Sequence, residues 1–215
     1  MSRAVVLLVL VGVSLFAQVK LFPIDHTARD RYFTGYVKSL KQAVSQRNVK
    51  ALRRLVADDV VVEDKPERKG WKEFAAKWKP EDPKSRLWAA LEDFLDLGFV
   101  QEHPYIFLSP YVVWRFPDNL DPAAHWVVAW GEEILRAEAN ARAREIHRME
   151  FEIVRRVQQG DRFHEVETLD GKRGWVNKLS LKDPTMPRAQ FSYDKGQWLM
   201  VMLVDYQAEP PADQD

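Results

Sequence analysis

Few side chains in this 215-residue sequence have the type and spacing that catalysis or metal binding requires. The sequence has no cysteine, which excludes thiol nucleophiles, disulfides and cysteine-ligated zinc sites. Its two nearest histidines, His147 and His164, lie 17 residues apart, a spacing that no local zinc motif uses. The G-x-S-x-G, G-x-G-x-x-G and phosphate-loop motifs are also missing. We therefore predict a non-enzymatic protein with no catalytic residue, no metal and no cofactor.

Aromatic side chains form the main candidate site. Trp130, Phe163 and Trp175 lie in one stretch of the sequence, with His164 beside Phe163. Aromatic rings that line a groove can accept an extended peptide or a glycan, since they bury apolar area while polar edges fix the register. These four residues are the candidate ligand-binding residues. Burial of the same rings in a core is the competing interpretation.

One carboxylate is an alternative candidate for acid–base chemistry. Glu63 follows the β-branched run 60–62, which is also flanked by Asp58, Asp59 and Asp64. Burial raises the pKa of a carboxyl group, and such a group can act as a general base. Glu63 is therefore the candidate pocket acid, although an acid at the exposed end of a strand gives the same pattern.

Charge and composition limit the classes of partner. The chain has 32 basic and 32 acidic residues, and 46% of its residues are hydrophobic. A nucleic-acid-binding protein normally carries a basic excess, so we predict no nucleic-acid partner. The hydrophobic content is sufficient for a packed core.

Residues 1–20 resemble a targeting segment. Arg3 precedes an uncharged apolar run over residues 4–17, which is shorter than the roughly 20 residues of a membrane span and typical of a signal peptide. An uncleaved anchor is the alternative, and it is the only membrane contact that we expect. The prediction is an exported protein, periplasmic or extracellular in a bacterium.

The elements that must position these residues divide into two regions. Helical periodicity dominates residues 24–122, which also contain the β-branched run 60–62. Residues 126–184 contain short strands, including a hairpin with an expected type I′ turn at Asp170-Gly171. We expect a disordered tail over residues 208–215. The fold class is α+β.

A second hairpin is predicted over residues 186–206, with its turn at Asp194-Lys195-Gly196. An isolated two-stranded hairpin is only marginally stable in water. This hairpin must therefore pair with the N-terminal strands or dock on the region before it. We expect the first arrangement, which completes a small antiparallel sheet of the N-terminal domain.

Residues 126–184 resemble a bacterial SH3-like (SH3b) domain. The resemblance is carried by the hairpin over residues 166–176, which ends in Gly174-Trp175-Val176, and by the aliphatic Leu179 and Leu181 after it. It implies an SH3-like β-barrel that binds cell-wall material, such as peptidoglycan, or an envelope protein. The loop that often recognises ligand in that family has a different sequence here.

The flanking parts resemble the cystatin-like and NTF2-like α+β families more weakly. Paired helices lead to a strand, and the closing hairpin carries Asp-Lys-Gly-Gln-Trp-Leu over residues 194–199. This resemblance implies the alternative function, an NTF2-like domain that binds or converts a small molecule around Glu63, with the barrel as an accessory.

Overall fold

The structure is a computed structural model that describes residues 19–63 and 69–206. Most of the predicted targeting segment (residues 1–20) and all of the predicted disordered tail (residues 208–215) lie outside the described residues. None of the helices within the described ranges has the length and apolar content needed to cross a membrane.

The described residues form five α-helices, all of them between residues 31 and 114. They are α1 (Arg31–Ser45), α2 (Val49–Arg53), α3 (Trp71–Trp78), α4 (Arg86–Leu97) and α5 (Tyr111–Trp114). The Asn48 side chain accepts a hydrogen bond from the Ala51 amide at the start of α2. Ser85 caps α4 in the same way, through the Leu87 amide. Both caps are predicted by the sequence, since Ser and Asn favour this position.

Twelve strands are present among the residues that the structure describes. They are β1 (Val56–Val61), β2 (Val100–His103), β3 (Ile106–Ser109), β4 (His125–Val128), β5 (Glu132–Arg136), β6 (Glu145–Glu150), β7 (Ile153–Gln158), β8 (Phe163–Thr168), β9 (Arg173–Asn177), β10 (Leu181–Lys182), β11 (Arg188–Asp194) and β12 (Gln197–Val204). They form two sheets, so the α+β class is confirmed.

The first sheet has the strand order β1-β12-β11-β3-β2. Its two inner C-terminal strands form the hairpin around Lys195-Gly196, where both residues have positive φ, as a type I′ turn requires. The expectation of a wholly antiparallel sheet is wrong, because β1 and β12 run parallel. A parallel pair needs a long connection between its strands, and most of the chain lies between β1 and β12.

Aromatic rings fill the space between the first sheet and helices α1, α3 and α4. Phe33 of α1 stacks on Phe107 of β3 at a centroid distance of 3.8 Å, and its ring also meets Trp198 of β12 at 4.9 Å. Phe33, Phe107 and Trp88 are all fully or almost fully buried. The interior of this unit is therefore a solid core.

The second sheet has the order β10-β4-β7-β8-β9-β5-β6. Its buried cluster draws at least one side chain from every strand, namely Trp126, Val128, Leu135, Met149, Val154, Val166, Val176 and Leu181. A flat sheet cannot bury its own face, so the sheet must curl around this cluster. Among the described strands the outermost pair, β6 and β10, are not joined, and the curled sheet is open.

The predicted type I′ turn at Asp170-Gly171 is wrong in its detail. Gly171 has a φ of +89°, but Asp170 is not in the left-handed region. The Gly171 amide donates to the Thr168 carbonyl, and the Thr168 amide donates to the Lys172 carbonyl. The loop therefore has three residues and ends in a left-handed glycine, which is the next most common hairpin connection.

The N-terminal segment, residues 19–26, joins the two sheets. The Leu21 amide donates to the Phe151 carbonyl of the second sheet at 2.7 Å. Further along, the His26 amide donates to the Phe99 carbonyl of the first unit, also at 2.7 Å. A buried apolar cluster lies along this junction and combines Leu21, Leu97, Val100, Tyr111, Val112, Val127, Ala129 and Ile153.

Gly98 allows this segment to approach the end of α4. Its φ of +78° and ψ of −178° lie in a region that is almost exclusive to glycine. A Cβ atom at this position would lie 2.8 Å from the Ile24 carbonyl oxygen and 2.9 Å from the Asp25 Cβ atom. The close approach of the two backbones therefore requires a glycine.

We expect Gly98→Ala to lower the free energy of unfolding by about 2–3 kcal/mol, because strain and the clash with residues 24–25 add together. Gly35→Ala is the control, since Gly35 lies in α1 and a new Cβ there would have no atom within 4 Å apart from the backbone of its own helix and its chain neighbours. That change should stabilise the protein by up to about 1 kcal/mol. Urea unfolding measures both, and equal values for the two variants would contradict this account.

The ion pairs of Asp205 with Arg86 and Lys77 should make the stability of the protein depend on pH. Arg86 donates to both carboxylate oxygens at 2.8 and 2.9 Å, and Lys77 lies 3.2 Å away. Burial raises the pKa of Asp205, but the hydrogen bonds from Arg86 and Lys77 outweigh it, so the pKa is lowered overall. A lowered folded-state pKa stabilises the protein above the unfolded pKa of about 3.9, and this stabilisation is lost as the pH falls through the folded value.

Asp205→Asn should therefore cost about 1 kcal/mol at neutral pH and nothing once the wild-type carboxyl is protonated in both states. Asp194→Asn, at an exposed turn position with Lys195 3.8 Å away, should change stability little at any pH. Urea unfolding of both variants between pH 2 and pH 7 tests this. A constant deficit for Asp205→Asn across that range would contradict the assignment.

Candidate functional site

The four predicted groove residues do not share one surface. Phe163 and His164 are neighbours on β8, so their side chains lie on opposite faces of the second sheet. Trp175 of β9 pairs with Glu165 of β8. Glu165 lies two residues after Phe163 on the same strand, so Trp175 and Phe163 lie on the same face of the sheet. The structure therefore brings Phe163 and Trp175 to one face and places His164 on the other.

His164 packs against the inner cluster of the second sheet. Its ring stacks on Trp126 at a centroid distance of 4.7 Å, and its Nδ1 accepts a hydrogen bond from the Gly160 amide at 3.1 Å. Burial lowers the pKa of His164, consistent with a neutral ring that carries its proton on Nε2. These contacts give His164 a structural role.

Phe163 and Trp175 are both partly exposed on the outer face of β8 and β9. The Trp175 ring lies 3.7 Å from the position that a Gly160 Cβ would occupy, so it covers the loop before β8. Neither residue lines the cavity at the junction of the two sheets.

Of the four predicted ligand-binding residues, Trp130 is the one that lines a cavity at the junction of the two sheets. The cavity has a volume of about 280 Å³ and opens at the junction of the two sheets. Its walls come from five separate places: the N-terminal segment, the end of α4, the start of α5, the turn after β4, and the turn between β6 and β7. Trp130, which follows β4, is 41% exposed at its edge.

The apolar wall of the cavity continues from Trp130 to Ile24, Leu97 and Phe151. Phe151 has a φ of +55°, which is rare for a bulky residue and costs about 1–3 kcal/mol. Its ring lies 5.6 Å from that of Phe22, whose side chain is 57% exposed. The strained turn therefore places an aromatic ring at the cavity and extends the apolar surface outside it.

Lys182 and Asp93 support the Trp130 ring. The Lys182 ammonium lies 5.6 Å from the ring centroid and donates to the Asp93 carboxylate at 2.6 Å. A cation near an aromatic ring is attracted by its quadrupole. This contact links α4, β10 and the turn after β4, and it restrains Trp130 although the ring is exposed.

Three polar side chains line the cavity. Asp25 and Asp96 are exposed, whereas Tyr111 is only 1% exposed. Burial raises the pKa of Tyr111 to about 12, so its hydroxyl is neutral. Within the described part of the chain this hydroxyl has no hydrogen-bond partner. A buried polar group without a partner is costly and needs an explanation.

Glu63, the alternative pocket acid, lies just after β1. Val60 and Val62 point into the first core, at 0% and 1% exposure, and Glu63 alternates to the other side. Glu63 is partly exposed and does not line the cavity. Within the described residues, no group of three or more His, Asp or Glu side chains is placed to hold a metal ion.

The sequence did not identify most of the cavity. Tyr111, Phe151, Asp25 and Asp96 belong to different segments, and none of them stands in a motif. Trp130 is the exception, because an aromatic residue between two predicted strands indicates a candidate binding residue. The other four come together only through the packing of the N-terminal segment between the sheets.

Comparison of the chain with protein-family models, with curated proteins and with solved structures finds no match.

The unpartnered hydroxyl of Tyr111 predicts an unusual response to mutation. Tyr111→Phe should change the free energy of unfolding by less than about 0.5 kcal/mol, because no hydrogen bond is lost. Ser109→Ala is the comparison, since the buried Ser109 hydroxyl donates to the Gly98 carbonyl at 2.9 Å. That change should cost about 1 kcal/mol. Urea unfolding gives both values, and a loss above about 1 kcal/mol for Tyr111→Phe would show that the hydroxyl is bonded in solution.

Proposed function

We propose that this protein is a non-enzymatic, exported binding protein of a bacterial cell envelope, and that the junction cavity is its ligand site. The observation that carries the proposal is the partly exposed Trp130, held by Lys182 at the edge of an apolar cavity. Export is supported by the charge and hydropathy pattern of residues 1–20.

The proposed ligand is cell-wall material such as peptidoglycan. The cavity, at about 280 Å³, is at the small end of ligand sites, so it suits one ring or one side chain of a repeating polymer. A protein partner would need about 800 Å² of surface on each side. The exposed large apolar residues within the described chain come from different elements, so no single helix or strand presents such a surface; they are Phe22, Tyr32, Tyr105, Trp130 and Leu179.

The second sheet is proposed to be an SH3-like module in this arrangement. Support comes from its short strands and from the hairpin that ends in Gly174-Trp175-Val176. Gly174 fits this interpretation, since a Cβ there would lie 2.5 Å from the Arg136 carbonyl oxygen of β5. The ligand would then bind at the edge of the module, where it meets the N-terminal unit.

Co-sedimentation of the full chain with purified peptidoglycan sacculi tests the proposal. We expect the wild-type protein to be retained and Trp130→Ala to bind about tenfold more weakly, the size of effect expected for a central aromatic contact. Tyr32→Ala is the matched control, since Tyr32 is an exposed aromatic residue on α1 that does not line the cavity. This variant should bind like the wild type.

Phe163→Ala distinguishes binding in the junction cavity from binding in the aromatic groove that the sequence predicted. Unchanged binding of this variant supports the cavity, and loss of binding by Phe163→Ala alone would place the site on the outer face of β8 and β9. Failure of the wild-type protein to sediment with the sacculi would overturn the proposed ligand.

A further inference from the structure

The charge of this protein is unevenly distributed along the chain. Residues 27–57, which include α1 and α2, contain eight basic side chains and one acidic side chain, Asp30. Because the whole chain is neutral, the remaining residues carry seven more acidic than basic side chains. The Asp30 carboxylate is engaged locally, since it accepts hydrogen bonds from the Tyr32 and Phe33 amides at 2.7 Å. This stretch is therefore a concentrated source of positive potential.

Helices α1 and α2 form one antiparallel pair. The Asn48 amide donates to the Ala43 carbonyl at 2.8 Å, and the Tyr36 hydroxyl donates to the Leu55 carbonyl at 2.9 Å, so α2 runs back alongside α1. The buried apolar side chains of both helices belong to the first core. An amphipathic helix that packs its apolar side on a core presents its charged side to solvent. The basic side chains therefore lie on the solvent side of this helix pair.

Most of these basic side chains have no anionic partner within the described chain. One of the eight, Arg53, forms an ion pair with Asp58. The exposed acids of the neighbouring α4, Glu92 and Asp96, form no ion pair with any of them. The seven others are all exposed, and they are Arg29, Arg31, Lys38, Lys41, Arg47, Lys50 and Arg54. Their charge is therefore available to an anionic partner.

The types of side chain distinguish between classes of anionic partner. Lys38, Lys41 and Lys50 are point charges on flexible stems, which suit a mobile layer of anionic groups better than one fixed phosphate. Proteins that bind single-stranded nucleic acid add several stacking rings to the basic residues. Within residues 27–57 the one exposed large aromatic side chain is Tyr32, at 58% exposure. Tyrosine favours the headgroup level of a bilayer, so this composition favours a lipid surface.

We propose that the solvent side of α1 and α2 docks on a membrane that contains anionic phospholipids, with the basic groups at the lipid phosphates and Tyr32 at the headgroup level. The apolar side of α1 is buried in the first core, so this helix cannot insert into the acyl chains as an interfacial amphipathic helix does. Docking is therefore electrostatic and reversible. It is additional to the membrane contact predicted for residues 1–20, and it does not depend on the proposed wall ligand.

Sedimentation of the full chain with lipid vesicles tests this proposal. We expect the protein to bind vesicles with about one-third phosphatidylglycerol at least tenfold more tightly than vesicles of phosphatidylcholine alone. Raising the salt concentration should remove this difference, because salt screens exposed charges. The apolar run over residues 4–17 is uncharged, so its contribution should be the same for both kinds of vesicle. Equal binding to both kinds at low salt would overturn the proposal.

Two variants with the same change in net charge test which surface is responsible. The first variant replaces three exposed lysines of the helix pair, by Lys38→Gln, Lys41→Gln and Lys50→Gln. The control replaces three exposed basic residues elsewhere, by Arg142→Gln, Lys178→Gln and Lys195→Gln. We expect the first variant to bind the anionic vesicles at least tenfold more weakly and the control to bind like the wild type. An equal loss in both variants would overturn the proposal, because net charge would then determine binding.

Two further probes identify other occupants of this surface. Tighter binding to a double-stranded DNA oligonucleotide than to the anionic vesicles, at equal phosphate concentration, would replace the membrane by a nucleic acid. Loss of retention on peptidoglycan sacculi by the first variant would assign the helix pair to the wall ligand and overturn membrane docking. Unchanged retention supports two separate surfaces. If the wild-type protein binds anionic vesicles but not sacculi, membrane docking stands and the proposed wall ligand is wrong.

Discussion

Strand pairing between the two ends of the chain is the constraint on which the structure depends. β12 lies between β1 and β11, and β11 pairs with β3, so the first sheet has its two C-terminal strands inside it. Phe191 and Trp198 from these strands complete the aromatic core around Phe33. The first core therefore cannot close until residues 125–182 have been synthesised. Such non-local pairing carries a loop-closure cost, which the extensive aromatic burial offsets.

The same connectivity explains the position of the cavity. Because the second sheet is inserted between β3 and β11 in the sequence, its two ends are held near the first sheet. The segment 19–26 then crosses from Phe151 of the second sheet to Phe99 of the first unit through backbone hydrogen bonds. A junction filled by one crossing segment packs less completely than a core of regular elements, and the cavity lies beside this segment. Its walls consequently combine residues that no single element could provide.

Some buried polar side chains of this fold are hydrogen-bonded, and others are not. The Ser109 hydroxyl donates to the Gly98 carbonyl, and His164 accepts from the Gly160 amide. The indole N–H groups of Trp88 and Trp198, by contrast, are buried in the first core and have no partner within the described residues. At the cavity, the Tyr111 hydroxyl has no partner within the described residues, and Phe151 is held in a left-handed conformation. Local strain and unpaired polar groups tend to collect at functional positions. The strained conformation of Phe151 therefore distinguishes the junction from the cores, whereas an unpartnered polar atom does not.

The sequence alone determined the features that depend on neighbouring residues. The caps at Asn48 and Ser85 and the left-handed glycines of the two hairpin turns, Gly171 and Gly196, follow from the local preferences of those residues. Tertiary structure decided the rest. The parallel pairing of β1 with β12, the face on which His164 lies, and the meeting of Asp25, Tyr111 and Phe151 all depend on long-range register. Register is set by which apolar faces pack together across the whole chain, and no local pattern contains that information.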